Sequence, residues 1–267
     1  MLVGPPLPQV ARMLLSLLPY LPLGLLAGLL SGLLGIGGGL VFAPLLLVAG
    51  LDPHQALATS TLAIVPTTLA ATWTHLANRT MPWRSALAIA IGAGLGAGLF
   101  SQLSFGVKGW QLLALQALMY GVLAATIRPQ LDPEFASPSA ANLAGISAVG
   151  WAAGLGTGML GIGGGLVMVP VMVRFLRLPI HLAIRFSTLA VLVSATVAST
   201  TFLTDGRGLL PVGLALGATA ALAARWSASR LDRVSETYLV WILRALTMVL
   251  ALYSGSRALE LWTGQAG

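Results

Sequence analysis

Polar side chains are sparse along this chain and fall at intervals, and the stretches between them are apolar for about 20 residues at a time. A helix of that length crosses a hydrocarbon layer of about 30 Å. The pattern predicts helices over 14–35 and 142–161, shorter apolar segments over 39–50 and 165–176, and full spans over 55–77, 84–103, 109–127, 182–203, 209–227 and 236–256. The stretch RPQLDPEFASPSA (128–140), with three prolines and two acids, reads as a loop.

The series repeats. GLLGIGGGLVFAP (32–44) and GMLGIGGGLVMVP (158–170) are identical at ten of thirteen positions with an offset of 126. LDPHQALATSTLA (51–63) and LPIHLAIRFSTLA (178–190) agree at seven of thirteen with an offset of 127, so one residue is inserted between the two blocks. The chain divides into a first transmembrane repeat (14–127), a polar linker (128–141) and a second repeat (142–257).

The short segments decide the arrangement. Twelve residues reach only about 18 Å as a helix, and an unbroken helix from 14 to 50 would run about 55 Å. The chain must therefore break at Gly37–Gly39, and likewise at Gly163–Gly165. If each broken pair crossed once, the repeats would be parallel and the cations would divide seven to six between the two sides. If each pair turns back as a hairpin, the repeats are inverted. One side then holds Arg79, Arg84, Arg128, Arg174, Arg177, Arg185, Arg225, Arg230 and Arg233, and the other only Arg12, Lys108, Arg207 and Arg257. Only the second division follows the positive-inside rule. The expected fold is an all-α polytopic membrane protein of two inverted repeats, each a glycine-broken re-entrant helix pair plus three transmembrane spans. The linker would be cytoplasmic and both termini outside.

Composition agrees. Of the 267 residues 57% are hydrophobic and 8% charged, against about 25% charged in soluble domains. The net charge of +7 comes from single Arg residues between spans, which fits membrane topology and not nucleic-acid binding. With no cysteine, disulfides, thiol catalysis and Cys-ligated metals are excluded. The N-terminal run lacks a signal-peptide pattern and reads as retained. No HExxH or GxSxG motif occurs, and GIGGGL departs from the dinucleotide fingerprint at its last position. None of the seven carboxylates lies in the middle of a span, which argues against a cation path.

The glycine triplets carry the candidate chemistry. Broken backbone within a bilayer is tolerated where it is packed inside the bundle or lines a cavity. The helix restarting at each break exposes unpaired N–H groups at its positive dipole end, which is a site for an anion. Gly37, Gly38, Gly39, Gly163, Gly164 and Gly165 are the candidate ligands; the alternative is close helix packing, the use assigned to IGAGLGAGLF (91–100). Ser60, Thr61, Ser187 and Thr188 repeat in both halves and can donate to an oxyanion or bond back to their own helices. His54 and His181 also repeat, as helix-start residues or as a proton or substrate site. Arg185, opposite Ala58 in the repeat, is either a gating cation or a positive-inside charge. His75 has no counterpart, and Arg244 is the cation inside a span.

Two glycine-triplet blocks, each followed by a proline and then by an AxxxSTLA span, resemble the sulfite exporter TauE/SafE family of bacterial permeases. The resemblance implies transport of sulfite, organosulfonates or similar oxyanions, a multi-pass place in the bacterial inner membrane, a small anionic substrate and no cofactor. If the family's glycine motifs line the path, the positions are the six glycines above. A related thiosulfate-importing group uses cysteines, which this chain lacks. A channel or a scaffold subunit is the alternative.

Overall fold

The computed structural model describes residues 21–34, 37–77, 82–126 and 143–265. Arg12, Arg79, Arg128 and the 128–141 linker lie outside them. Among the described residues there are ten α-helices and no strand. They are α1 (Leu21–Leu34), α2 (Gly39–Val48), α3 (Pro53–Ala77), α4 (Trp83–Leu103) and α5 (Gly109–Thr126) in the first half, and α6 (Leu143–Gly158), α7 (Gly165–Phe175), α8 (Ile180–Thr204), α9 (Leu210–Ala228) and α10 (Glu236–Gln265) in the second. The order reproduces the repeat helix for helix. α10 runs nine residues past the expected end at 256, because Arg257 and Glu260 pair along the helix at 2.6 Å and do not mark its end.

The inserted residue is found at the end of α7. The N–H of Leu51 closes on the Leu46 carbonyl after α2, and that of Leu178 on the Met172 carbonyl after α7, one residue further back. Left-handed residues end both turns, Gly50 (φ 92°) and Arg177 (φ 53°), which correspond in the repeat.

The strongest packing runs between the halves. α4 lies against α6 and α8, and α9 lies against α1 and α3, the same pair of contacts with the halves exchanged. α3 and α8 cross at the centre, and α5 packs on α10. In lipid, size and not polarity distinguishes the faces of a helix. On α4, Leu87, Ile91, Leu95 and Leu99 face outward, while Gly92, Ala93, Gly96 and Ala97 are buried. A Cβ on Gly92 would fall 2.0 Å from the Ser147 carbonyl oxygen, and one on Gly96 2.2 Å from that of Trp151. The α1–α9 contact matches it: a Cβ on Gly28 would fall 2.1 Å from the Ala220 carbonyl oxygen. Gly24, Gly28 and Gly32 of α1 are the counterparts of Gly150, Gly154 and Gly158 of α6, so both seams are built from the same glycine register.

Exposed Trp83, Trp226 and Trp241 each sit beneath a guanidinium, those of Arg84, Arg230 and Arg244 at 5.5, 4.0 and 5.5 Å from the ring centres. This is the composition of an interfacial belt, and it accounts for Arg244 as a cation reaching back along α10 to the headgroup level.

Candidate functional site

The two glycine breaks meet. A Cβ on Gly39, the first residue of α2, would lie 2.8 Å from the backbone carbon of Ile162 and 2.9 Å from the carbonyl oxygen of Gly161. Gly37 is wedged where the central helices cross, with Val191 of α8 and Ile64 and Thr68 of α3 within 3.1 Å of its notional Cβ. Gly37, Gly38 and Gly163 have φ of 76°, 77° and 76°, a conformation side chains resist, so these positions need glycine for backbone shape as well as space. Gly37–Gly39 and Gly163–Gly165 are all buried. Each half-helix then contains a proline, Pro44 or Pro170, five residues into α2 or α7. That proline withdraws a further backbone donor.

The central helices carry buried hydroxyls, and one of them reaches a glycine break. Ser60 Oγ donates across the half interface to the Gly161 carbonyl, tying α3 to the second break. Thr61 and Thr188 donate to carbonyls of their own helices, Leu57 and Ile184, both at 2.8 Å. Ser187 donates to Ile184 at 3.0 Å. All four oxygens keep lone pairs, while their hydroxyl hydrogens are engaged within the protein in this conformation.

The histidines stand apart from the breaks, at the starts of α3 and α8. His181 Nε2 lies 3.1 Å from the Val234 carbonyl. His54 makes a backbone hydrogen bond with Val107, the residue corresponding to Val234. Both imidazoles thus pin the start of a central helix to the loop before the last helix of their own half. His54 Nδ1 also accepts from Arg207 at 3.1 Å, and Arg207 is ion-paired with Asp205 and lies 4.7 Å from the Phe105 ring centre. The N–H of Leu209 donates to Thr59 Oγ1 at 3.1 Å, so the α8–α9 loop is clamped to α3. Arg185 is half-buried on α8, one turn beyond His181, away from the glycine triplets in sequence; its counterpart Ala58 packs against Ala97 and Phe202. His75 is buried toward the end of α3.

Thr157 is a participant that the sequence reading passes over. Its Oγ1 accepts from the Gly164 N–H at 2.6 Å and from Ser194 Oγ at 3.0 Å. The signal is present in the repeat, since Thr157 corresponds to Ser31, another hydroxyl, one position before the identical run begins at Gly32. A groove of about 710 Å³ between α5, α6 and α7 is lined by Leu115, Leu155, Pro170 and Arg174 among others and does not include the glycines. Among the described residues no group of His, Asp or Glu is placed to hold a metal ion.

This arrangement places the start of α2 against the chain that enters the second break, inside an apolar bundle. Among the described residues four helices, α3, α4, α8 and α10, are long and apolar enough to cross a membrane, and the chain is a multi-pass membrane protein. Comparison with known proteins agrees. A probable membrane transporter protein of Xylella fastidiosa (strain 9a5c) is 35% identical over 186 residues, covering 66% of this chain and 70% of the relative. A probable membrane transporter protein of Bacillus subtilis (strain 168), YunE, is 28% identical over 264 residues, 87% of this chain and 96% of the relative. A sulfite exporter TauE/SafE family protein of Arabidopsis thaliana is 44% identical over 49 residues, 18% of this chain and 10% of the relative. No solved structure matches. The family model for the sulfite exporter TauE/SafE matches residues 20–254, nearly the whole of the chain, and the protein belongs to that family.

Proposed function

We propose that this membrane transporter carries small sulfur-containing anions, sulfite, an organosulfonate or a similar oxyanion, and binds them between the starts of α2 and α7. The observation that carries the reading is the contact of Gly39 with Gly161 and Ile162, which sets the start of α2 against the chain entering the second break. Each start contributes the N–H groups of its first turn, apart from the capped one of Gly164, and the positive end of a helix dipole, and the glycines leave the backbone bare. Ser60, Thr61, Ser187 and Thr188, all buried on α3 and α8, are the hydroxyls this reading assigns to the anion, with Ser60 already at the second break. Broken helices meeting at a repeat interface are a recurrent binding arrangement in secondary transporters.

In this conformation the breaks touch, so loading requires them to part. The halves are inverted and interleaved through α4 and α9, and the site opens to one side and then the other as the bundle rocks. Residues 14–127 and 142–257 are the repeats, and the 128–141 linker is cytoplasmic. The setting is the bacterial inner membrane with both termini outside. An anion leaving a negative-inside cell gains about 2.3 kcal/mol per charge per 100 mV, so export needs no coupled cation and the bundle needs no carboxylate at its middle. No chemistry is performed on the substrate. A channel would require an open path, which the touching breaks interrupt.

The test is reconstitution. Purified protein in liposomes is expected to give saturable flux of radiolabelled sulfite that unlabelled methanesulfonate or taurine competes away. Flux no greater than in protein-free liposomes, for sulfite and for both sulfonates, would contradict the reading.

A further inference from the structure

The two breaks are alike in sequence and different in structure. In the second, Gly164 is right-handed (φ −60°, ψ −8°) and its N–H is capped by Thr157, whose oxygen is held in turn by Ser194. In the first, Gly38 is left-handed (φ 77°, ψ −16°), as is Gly37 before it. Ser31, seven residues before Gly38 as Thr157 is before Gly164, is fully buried, and its Oγ has no hydrogen-bond partner. Thr67, the counterpart of Ser194, donates to the Ala63 carbonyl at 2.8 Å, whereas Ser194 is shared between Thr157 at 3.0 Å and the Val191 carbonyl at 3.2 Å.

Ser31 is set against the start of α2. The nearest carbonyl of α1 to a Cβ on Gly38 is that of Ala27, at 3.5 Å, and Ala27 and Ser31 lie one helical turn apart on the same buried face. A buried hydroxyl without a partner is uncommon and unfavourable. This one is carried on the face of α1 that meets Gly38 through Ala27, and Gly38 leads into the N–H groups of Gly39 and Leu40, which also lack intrahelical partners.

Resting on the anion reading above, we propose that the first break supplies the side-chain donor: Ser31 Oγ donates to the anion beside the N–H groups of Gly39 and Leu40, while at the second break the matching hydroxyl, Thr157, is engaged by Gly164 and Ser194. The repeat is symmetric in fold and asymmetric in chemistry.

The experiment measures KM for radiolabelled sulfite in proteoliposomes, together with Tm of the purified protein. Ser31→Val is expected to raise KM about tenfold, the scale of a lost hydrogen bond to a charged group, with Tm unchanged or raised. Ser31→Thr has the same shape as Val but keeps the hydroxyl, and is expected to stay within about threefold of the parent; a defect of size alone would appear in both. Thr157→Val is expected to lower Tm and leave KM within about twofold, because Gly164 loses its cap without the site losing a ligand. An unchanged KM in Ser31→Val, or equal rises in Ser31→Val and Thr157→Val, would overturn the asymmetric site while the parent's saturable sulfite flux kept the transport reading intact. Absence of that flux in the parent would instead overturn the transport reading itself.

Discussion

Ser60 of α3 donates its hydroxyl hydrogen to the carbonyl of Gly161, a residue 101 positions away in the other half of the chain. The bond joins a central helix to the opposite glycine break, and its neighbour Thr61 does nothing of the kind: that hydroxyl returns to Leu57, one turn back in its own helix. Two adjacent hydroxyls in the same STLA motif therefore have different work.

Stability should separate them. Ser60→Ala leaves a buried carbonyl without this donor, a loss of about 1–3 kcal/mol. Thr61→Val removes a second bond to a carbonyl that already takes part in the helix, and is expected to cost under about 1 kcal/mol. Thermal unfolding of the two variants in detergent should show the larger fall in Tm for Ser60→Ala; equal falls would mean the cross-half bond adds nothing.

The glycine seams predict a matched pair. Gly28→Ala and Gly150→Ala each drive a methyl into a backbone carbonyl, at 2.1 Å from Ala220 and 2.4 Å from Ile89. Both should destabilise by about 1–3 kcal/mol, the usual cost of overpacking. Gly121→Ala, on α5 with no atom within 4 Å of the new Cβ, should be neutral or stabilising. A Gly121 variant as damaged as the other two would show that the effect is general and not a property of the seams.

Topology can be read with single cysteines, because the parent chain has none. With inverted halves, Thr204→Cys at the exposed end of α8 should react with a membrane-impermeant maleimide added to whole cells, and Ser229→Cys beyond α9 should be protected until the membrane is opened. The opposite pattern, or equal labelling of both, would reject the proposed orientation.

The sequence carries the broken helices, the repeat and the small-residue use of 91–100, because each depends on residue size and order along the chain. It does not carry the interleaving. Both faces of α4 are apolar, so nothing in its pattern says that Gly92 and Gly96 meet α6 of the other half and not a helix of their own. The touching breaks share that origin, since Gly39 meets Gly161 across the two halves and the glycine runs carry no sign of it. The histidines were legible as a pair but not in their task, which depends on loop carbonyls of Val107 and Val234 that have no sequence signature. Ser31 and Thr157 align in the repeat, yet they differ in bonding where Gly38 and Gly164, identical in sequence, differ in backbone conformation.

The central claim is that the anion passes where the two breaks meet, and sulfite flux through Gly39→Ala proteoliposomes tests it most directly. The added methyl would press on Gly161 and Ile162 at 2.9 and 2.8 Å. The account predicts that flux falls by at least about tenfold, a change of about 1.4 kcal/mol, in protein that remains folded and monodisperse, with Gly121→Ala transporting as the parent does. Parental flux through the folded Gly39→Ala protein would contradict it.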